Sequence, residues 1–158
     1  MFTTYTILKF IHVTGAIIWV GGISTLTLLY TQLSRLEERP TLAALLKTSS
    51  FVGRIVVGPA AVLALLAGIA TAASVGMDFG MLWLTWGFMG FLLSIVWGAT
   101  FVRWTMAALQ KSASSAGEAG VGAKLRLQQL QRRLTFANVV NLLILLSTVA
   151  AMVLKPTL

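Results

Sequence analysis

Residues 55–75 read IVVGPAAVLALLAGIATAASV, an apolar run without a single charged side chain. A run of this length matches the roughly 20 apolar residues that an α-helix needs to cross a bilayer. Similar runs occupy residues 11–30, 80–102 and 134–154. Because a spanning segment must satisfy its own backbone hydrogen bonds, isolated apolar runs of this length are expected to be helical. The sequence therefore predicts four transmembrane helices.

The composition of the whole chain agrees with a lipid environment. Of its 158 residues, 58% are hydrophobic and only 10% are charged, whereas about a quarter of the residues of a soluble domain are charged. We therefore predict an all-α, integral membrane, up-down-up-down four-helix bundle, a single domain whose main partner is the lipid bilayer. The helices are expected at about 5–30, 52–75, 80–105 and 126–154. The absence of cysteine excludes disulfides and thiolate metal sites.

The basic residues predict an orientation for the bundle. Ten of the 12 lysines and arginines lie in two connections, between the first and second runs and between the third and fourth. The positive-inside rule assigns these connections to the cytoplasm, which leaves both termini outside. We expect a multi-pass protein of the prokaryotic plasma (inner) membrane. Positive charge in short loops is explained by this orientation, so no nucleic-acid partner is expected.

The connections also carry local predictions. Leu42, Leu45 and Leu46 stand at helical spacing, which predicts a short helix over residues 41–48 lying on the membrane surface. Residues 112–122 are rich in serine, alanine and glycine and predict a flexible linker. The short turn at residues 74–79 predicts that the second and third spans are antiparallel neighbours.

Polar residues interrupt the first span. His12 is the only histidine, and it lies roughly 10 Å inside this helix at 1.5 Å per residue. Lys9 lies on the same face nearer the surface, and Gly15 and Trp19 continue that face inward. An ionisable residue inside a span is costly and indicates a functional site. The residues alone leave three roles open for His12, namely a haem ligand, a hydrogen bond to a neighbouring helix, and a proton or metal site.

Two stretches resemble a known superfamily. Residues 8–22 read LKFIHVTGAIIWVGG, and residues 53–61 read GRIVVGPAA, followed by LAG at 66–68. They resemble the first two helices of the copper-resistance-protein-D-like (CopD-like) superfamily, which includes small integral membrane proteins and the HemJ-type protoporphyrinogen oxidases. The resemblance implies b-type haem with His12 as iron ligand, and a role in electron transfer or in porphyrin or oxygen redox chemistry.

A haem at His12 carries further expectations. Gly15 would let a flat macrocycle approach the helix, and Lys9 lies where a propionate would emerge. A single histidine supplies only one axial ligand. The sixth position is expected to be empty, or to be taken by His12 of a second copy or by a methionine. The methionine candidates at similar depth are Met81, Met89 and Met152, of which Met89 is the foremost.

A second group of polar residues is expected at the cytoplasmic boundary. Arg54, Arg103, Asn138 and Asn141 predict either a pocket for an anionic group, such as a propionate or a lipid phosphate, or boundary anchoring with interhelical hydrogen bonds. No residue set specifies a reaction. The partners expected are a second copy of the chain or a larger membrane redox complex. The alternative functions are a non-catalytic accessory subunit and a small metal or proton transporter.

Overall fold

The computed structural model describes residues 3–33, 39–114 and 121–155, and they form helices joined by one turn. The helices are α1 (Thr4–Leu33), α2 (Arg39–Val52), α3 (Gly58–Ser74), α4 (Leu82–Trp97), α5 (Arg103–Ser114) and α6 (Val121–Leu154). Two short π-helical turns, Gly53–Val57 and Gly98–Val102, join α2 to α3 and α4 to α5 without a break. Four helices in this part of the chain are long and apolar enough to cross a membrane. The fold is the predicted all-α four-helix membrane bundle.

The bundle has two distinct ends. The terminal end carries residue 3, residue 155 and the turn between α3 and α4, and the basic end carries α2, α5 and the first half of α6. Residues 115–120 of the predicted linker lie outside the described residues. Residues 112–114 end α5, and residues 121–122 begin α6.

The helices are longer than a bilayer is thick. The helix that includes α2 and α3 runs over Pro40–Ser74 for 35 residues, which is about 52 Å, against about 30 Å of hydrocarbon. At the basic end, α2 and α5 pack on each other, and α5 packs on α6. They enclose a cluster that includes Leu42, Leu46, Leu109 and Leu134, all almost completely buried. Residues 41–48 are helical as predicted, but their helix continues the second span and does not lie on the surface.

The first π-helical turn keeps its long helix continuous where Gly58 and Pro59 would otherwise interrupt it. In the first turn, the Gly58 amide bonds to the Gly53 carbonyl oxygen, five residues back. Pro59 follows at the start of α3. Proline has no amide hydrogen and clashes with the carbonyl of the preceding turn in a regular α-helix. The wider π turn accommodates this residue, so α2 and α3 remain one continuous helix.

Small residues join α1 to α3. The Ala60, Ala64 and Gly68 face of α3 lies against α1, and a Cβ added to Gly15 would lie 3.0 Å from the Ala60 carbonyl oxygen. Lipid provides no hydrophobic drive for helix association, so this contact depends on backbones that approach closely. Near mid-bundle, Trp19 packs edge-to-face against Phe91 with ring centroids 5.0 Å apart. This pair belongs to a second core cluster that links α1, α3, α4 and α6.

The antiparallel pair α3 and α4 departs from expectation. These two helices are joined by the short turn after Ser74, yet along their lengths their backbones hardly approach each other. Instead α3 packs on α1, and α4 packs on α6. The two spans follow each other through a short turn, as predicted, but they do not pack closely, because a short turn fixes direction and not separation. The space left between the two pairs forms a cavity at the terminal end.

Candidate functional site

The cavity is the central feature of the terminal half of the bundle. It has a volume of about 700 Å³, within the range of about 300–1,000 Å³ that is usual for small-molecule sites. Its walls are mainly aliphatic and aromatic. The aromatic wall residues are Tyr5, Trp19, Trp83, Phe88 and Phe91. Residues from α1, α3, α4, α6 and the α3–α4 turn all contribute, so the site exists only in the assembled bundle.

His12 lines this cavity with its imidazole fixed in one orientation. Its Nδ1 lies 2.7 Å from the Ala64 carbonyl oxygen. A carbonyl only accepts hydrogen bonds, so Nδ1 donates here; in the neutral imidazole Nε2 then holds the lone pair. Gly68 makes room for the ring, since a Cβ there would lie 2.7 Å from Nδ1 and 2.9 Å from Cε1.

The other imidazole nitrogen is available to a ligand. Nε2 of His12 bonds to no described residue, and no buried side-chain polar atom in the described part of the chain lacks a partner. Nε2 therefore faces open space, which here is the cavity. A histidine that donates from one nitrogen to a backbone carbonyl and offers the other is the usual arrangement of a metal-ligating imidazole.

Two lysines stand at the mouth of the cavity. Lys9 extends from α1, with its Nζ 5.8 Å from the Tyr5 ring centroid. Lys155 follows the end of α6, with its Nζ 5.4 Å from the Trp83 ring centroid. Lys155 adopts a left-handed backbone conformation, φ 45°, and its amide closes the helix on the Ala151 carbonyl oxygen at 3.0 Å. No aspartate or glutamate lines the cavity among the described residues. The mouth therefore carries positive charge and favours an anionic group.

Comparison with known proteins identifies the family. A family model described as "Predicted integral membrane protein (DUF2269)" matches residues 6–156. The chain belongs to this family. No curated protein and no solved structure matches the chain.

Methionines on three elements were candidates for a second axial position, and the structure separates them. In this DUF2269 protein Met89 is 61% exposed on the outside of α4, and neither Met89 nor Met81 lines the cavity. Met152 does line it, packed against Gly87. Met77, in the α3–α4 turn, also lines it. Met152 and Met77 thus share the cavity with His12, and Met89 does not.

Gly15 has a different role from the expected one. It is buried against α3, and a Cβ there would also lie 3.0 Å from the Ala64 amide nitrogen. It does not line the cavity. This corrects the expectation that Gly15 leaves room for a macrocycle. It instead allows α1 to approach the carbonyl that holds His12.

The polar residues of the basic end lie apart from the cavity. Arg54 and Arg103 are exposed, while Asn138 and Asn141 are buried inside the bundle. Ser94 donates to the Asn141 side-chain oxygen at 2.7 Å, which joins α4 to α6. None of the four lines the cavity. The structure thus brings together His12, Lys9 and Trp19 of the predicted site, but not Arg54, Arg103 and Asn141.

Sequence reasoning missed several wall residues. Lys155 lies beyond the last apolar run, and only its position at the same end as Lys9 indicates a shared role. The aromatic residues of α4 are indistinguishable from lipid-facing ones by hydropathy alone. Within the described residues no group of three or more His, Asp or Glu side chains could hold a metal ion.

Proposed function

We propose that this protein binds b-type haem in the terminal-end cavity, with His12 Nε2 as an axial ligand to the iron. The observation that carries the proposal is the unpartnered Nε2 of an imidazole whose Nδ1 is fixed by the Ala64 carbonyl. A porphyrin coordinates the iron with its own four nitrogens, so the protein needs to supply only one or two axial ligands. The resemblance of residues 8–22 to the CopD-like superfamily, and more distantly to HemJ-type proteins, points the same way.

The chemistry of the cavity walls supports this ligand. Flat apolar faces of a macrocycle fit beside Trp19, Phe88 and Phe91, and its acidic edge fits the lysines at the mouth. Met152 and Met77 line the cavity and are therefore the methionines proposed for a sixth ligand. A bound haem would supply one-electron redox chemistry, and the protein would serve electron transfer or porphyrin or oxygen redox chemistry.

The spectrum of the protein tests the proposal. The protein is purified in detergent from haem-replete cells, and its visible spectrum is recorded oxidised and dithionite-reduced. We expect haem bands that are absent in His12→Ala and return when free imidazole is added, because imidazole fills the vacated space. A colourless, folded native protein that takes up no added haem would refute the proposal.

The sixth position has its own matched comparison. Met152→Leu and Met77→Leu change residues in the cavity wall, and Met89→Leu changes an exposed methionine outside it. If a methionine ligates the iron, one of the first two variants changes the reduced spectrum. Met89→Leu leaves the spectrum unchanged.

We further propose that the basic end lies in the cytoplasm of a prokaryotic cell, so that the cavity opens to the outside. The support is that ten of the 12 lysines and arginines of the sequence lie in the two connections between the first and second and between the third and fourth apolar runs. A reporter that is active only in the cytoplasm should be inactive when fused to the C-terminus. Purification in mild detergent tests the proposed second copy or larger redox complex. A stable partner with a colourless protein would instead favour an accessory subunit.

A further inference from the structure

The cavity has an opening in its side as well as at its mouth. Val13 and Ile17 of α1 and Val153 of α6 line the cavity and are also 44%, 66% and 73% exposed. A residue that both lines a cavity and faces outward marks a break in the wall. We name this break, between α1 and α6, the side gap.

The side gap lies within the part of the bundle that spans the membrane. Ile17 is 13 residues from the start of α1, about 20 Å along the helix. The gap therefore faces hydrocarbon. Its lower limit is Gly21, where an added Cβ would meet nothing within 4 Å. Below it, α1 and α6 close, with Thr135 donating to the Tyr30 carbonyl oxygen at 3.4 Å.

The other gap in the bundle is better closed. Although α3 and α4 hardly touch, the cavity residues Leu65, Ile69, Trp83 and Phe88 between them are all half-buried. No α3 or α4 residue that lines the cavity is exposed, whereas Val13, Ile17 and Val153 are. The side gap between α1 and α6 is thus the open route between cavity and bilayer.

We infer that the cavity takes its ligand sideways from the bilayer through the side gap, and that this ligand is a membrane-dissolved amphiphile with an acidic end. The apolar side chains of the side gap admit the apolar part of the ligand, and Lys155 and Lys9 at the mouth bind its acidic group. Haem is one such amphiphile, so the identity of the ligand rests on the proposed function. The entry route does not, because it depends only on the side gap.

The chain offers a clean way to block the gap, because it contains no cysteine. Ile17→Cys puts a thiol on the lip of the gap. Ile18→Cys is the matched control, since Ile18 is also exposed but does not line the cavity. Each variant is labelled with a bulky methanethiosulfonate reagent, which a reducing agent later removes. Recovery after removal shows that the protein stayed folded.

Haem dissolved in phosphatidylcholine vesicles is then mixed with vesicles of the same lipid that hold the apo-protein, and haem absorbance is followed in time. The label on Ile17→Cys should slow uptake at least about tenfold, and removal of the label should restore the rate. The label on Ile18→Cys should not change the rate. Equal rates for the two labelled variants would overturn the side route.

A second probe keeps this test separate from the haem proposal. If the native protein takes up no haem, the proposed function fails, and a fatty acid brominated along its chain is used instead. Its arrival is read as quenching of the fluorescence of Trp19 in the cavity wall, with Trp19→Phe as the blank. Slower quenching only with the label on Ile17→Cys supports the inference. No quenching of Trp19, or equal rates, would overturn it.

Discussion

Gly68→Ala tests how the histidine is held. The added Cβ would lie 2.7 Å from His12 Nδ1 and 2.9 Å from Cε1, whereas ordinary van der Waals contacts begin at 3.4 Å. The imidazole must therefore move by about 0.7 Å, because the helix backbone that carries the Cβ is held against α1. Such a shift lengthens the bond from Nδ1 to the Ala64 carbonyl from 2.7 Å to at most about 3.4 Å, beyond the usual range.

The size of the effect follows from that bond. A typical hydrogen bond contributes about 0.5–1.5 kcal/mol to stability, and loss of an outer partner of a metal-binding histidine costs about 10–100-fold in affinity. We expect Gly68→Ala to weaken haem binding about tenfold, which is about 1.4 kcal/mol. The apo-protein should also lose about 1 kcal/mol of stability, which is measurable whether or not haem binds.

Titration of the detergent-solubilised apo-protein with haem, followed by absorbance, gives the dissociation constant. Thermal unfolding without haem gives the second quantity. Gly21→Ala is the matched control, since Gly21 also lines the cavity in α1 but an added Cβ there meets nothing within 4 Å. If the two variants show the same dissociation constant and the same unfolding temperature, Gly68 does not position His12.

Three further changes probe the core and the mouth of the cavity. Ser94→Ala leaves the buried oxygen of Asn141 without its donor and should cost about 1–3 kcal/mol in thermal unfolding. Leu46→Ala opens space in a completely buried position of the basic end and should cost about 2–5 kcal/mol. Lys155→Gln should reduce by about threefold the preference for haem over its dimethyl ester, which lacks the acidic groups, in competitive titration.

Each of these changes has a control elsewhere in the chain. Ser147→Ala removes an exposed hydroxyl that bonds within its own helix. Leu125→Ala truncates an exposed leucine. Lys47→Gln removes a charge at the basic end. None should change stability or ester preference by more than about 0.5 kcal/mol. If a control variant changed stability or ester preference as much as the variant it is paired with, the physical reason given for that variant would be contradicted.

The fold was largely predictable, because hydropathy alone defines spanning segments. The lengths of the helices were less so. The leucines of α2 indicate a helix. Whether this helix lies on the membrane or continues a span depends on the backbone conformation at Gly58 and Pro59. A proline after a glycine usually interrupts a helix, and only the structure shows the π turn that accommodates it.

The site was predictable where it depends on one helix and not where it depends on several. His12, Lys9 and Trp19 share one face of α1, and periodicity places them together. The choice among methionines depends on how α4 and α6 are rotated against α1. Met89 and Met152 are equally apolar in sequence, yet one faces outward and the other lines the cavity. The cavity itself arises from the separation of α3 and α4, which hydropathy does not encode.

The continuity of α2 with α3 has a mechanical consequence. The helix that includes α2 and α3 runs over 35 residues without a break. Its segment nearest the terminal end carries Ala64 and Gly68, which hold the imidazole of His12. A protein that docks on α2 and moves this helix as a unit would also displace the backbone that orients the only histidine of the chain. Contact on one side of the membrane would thereby be coupled to the pocket near the other.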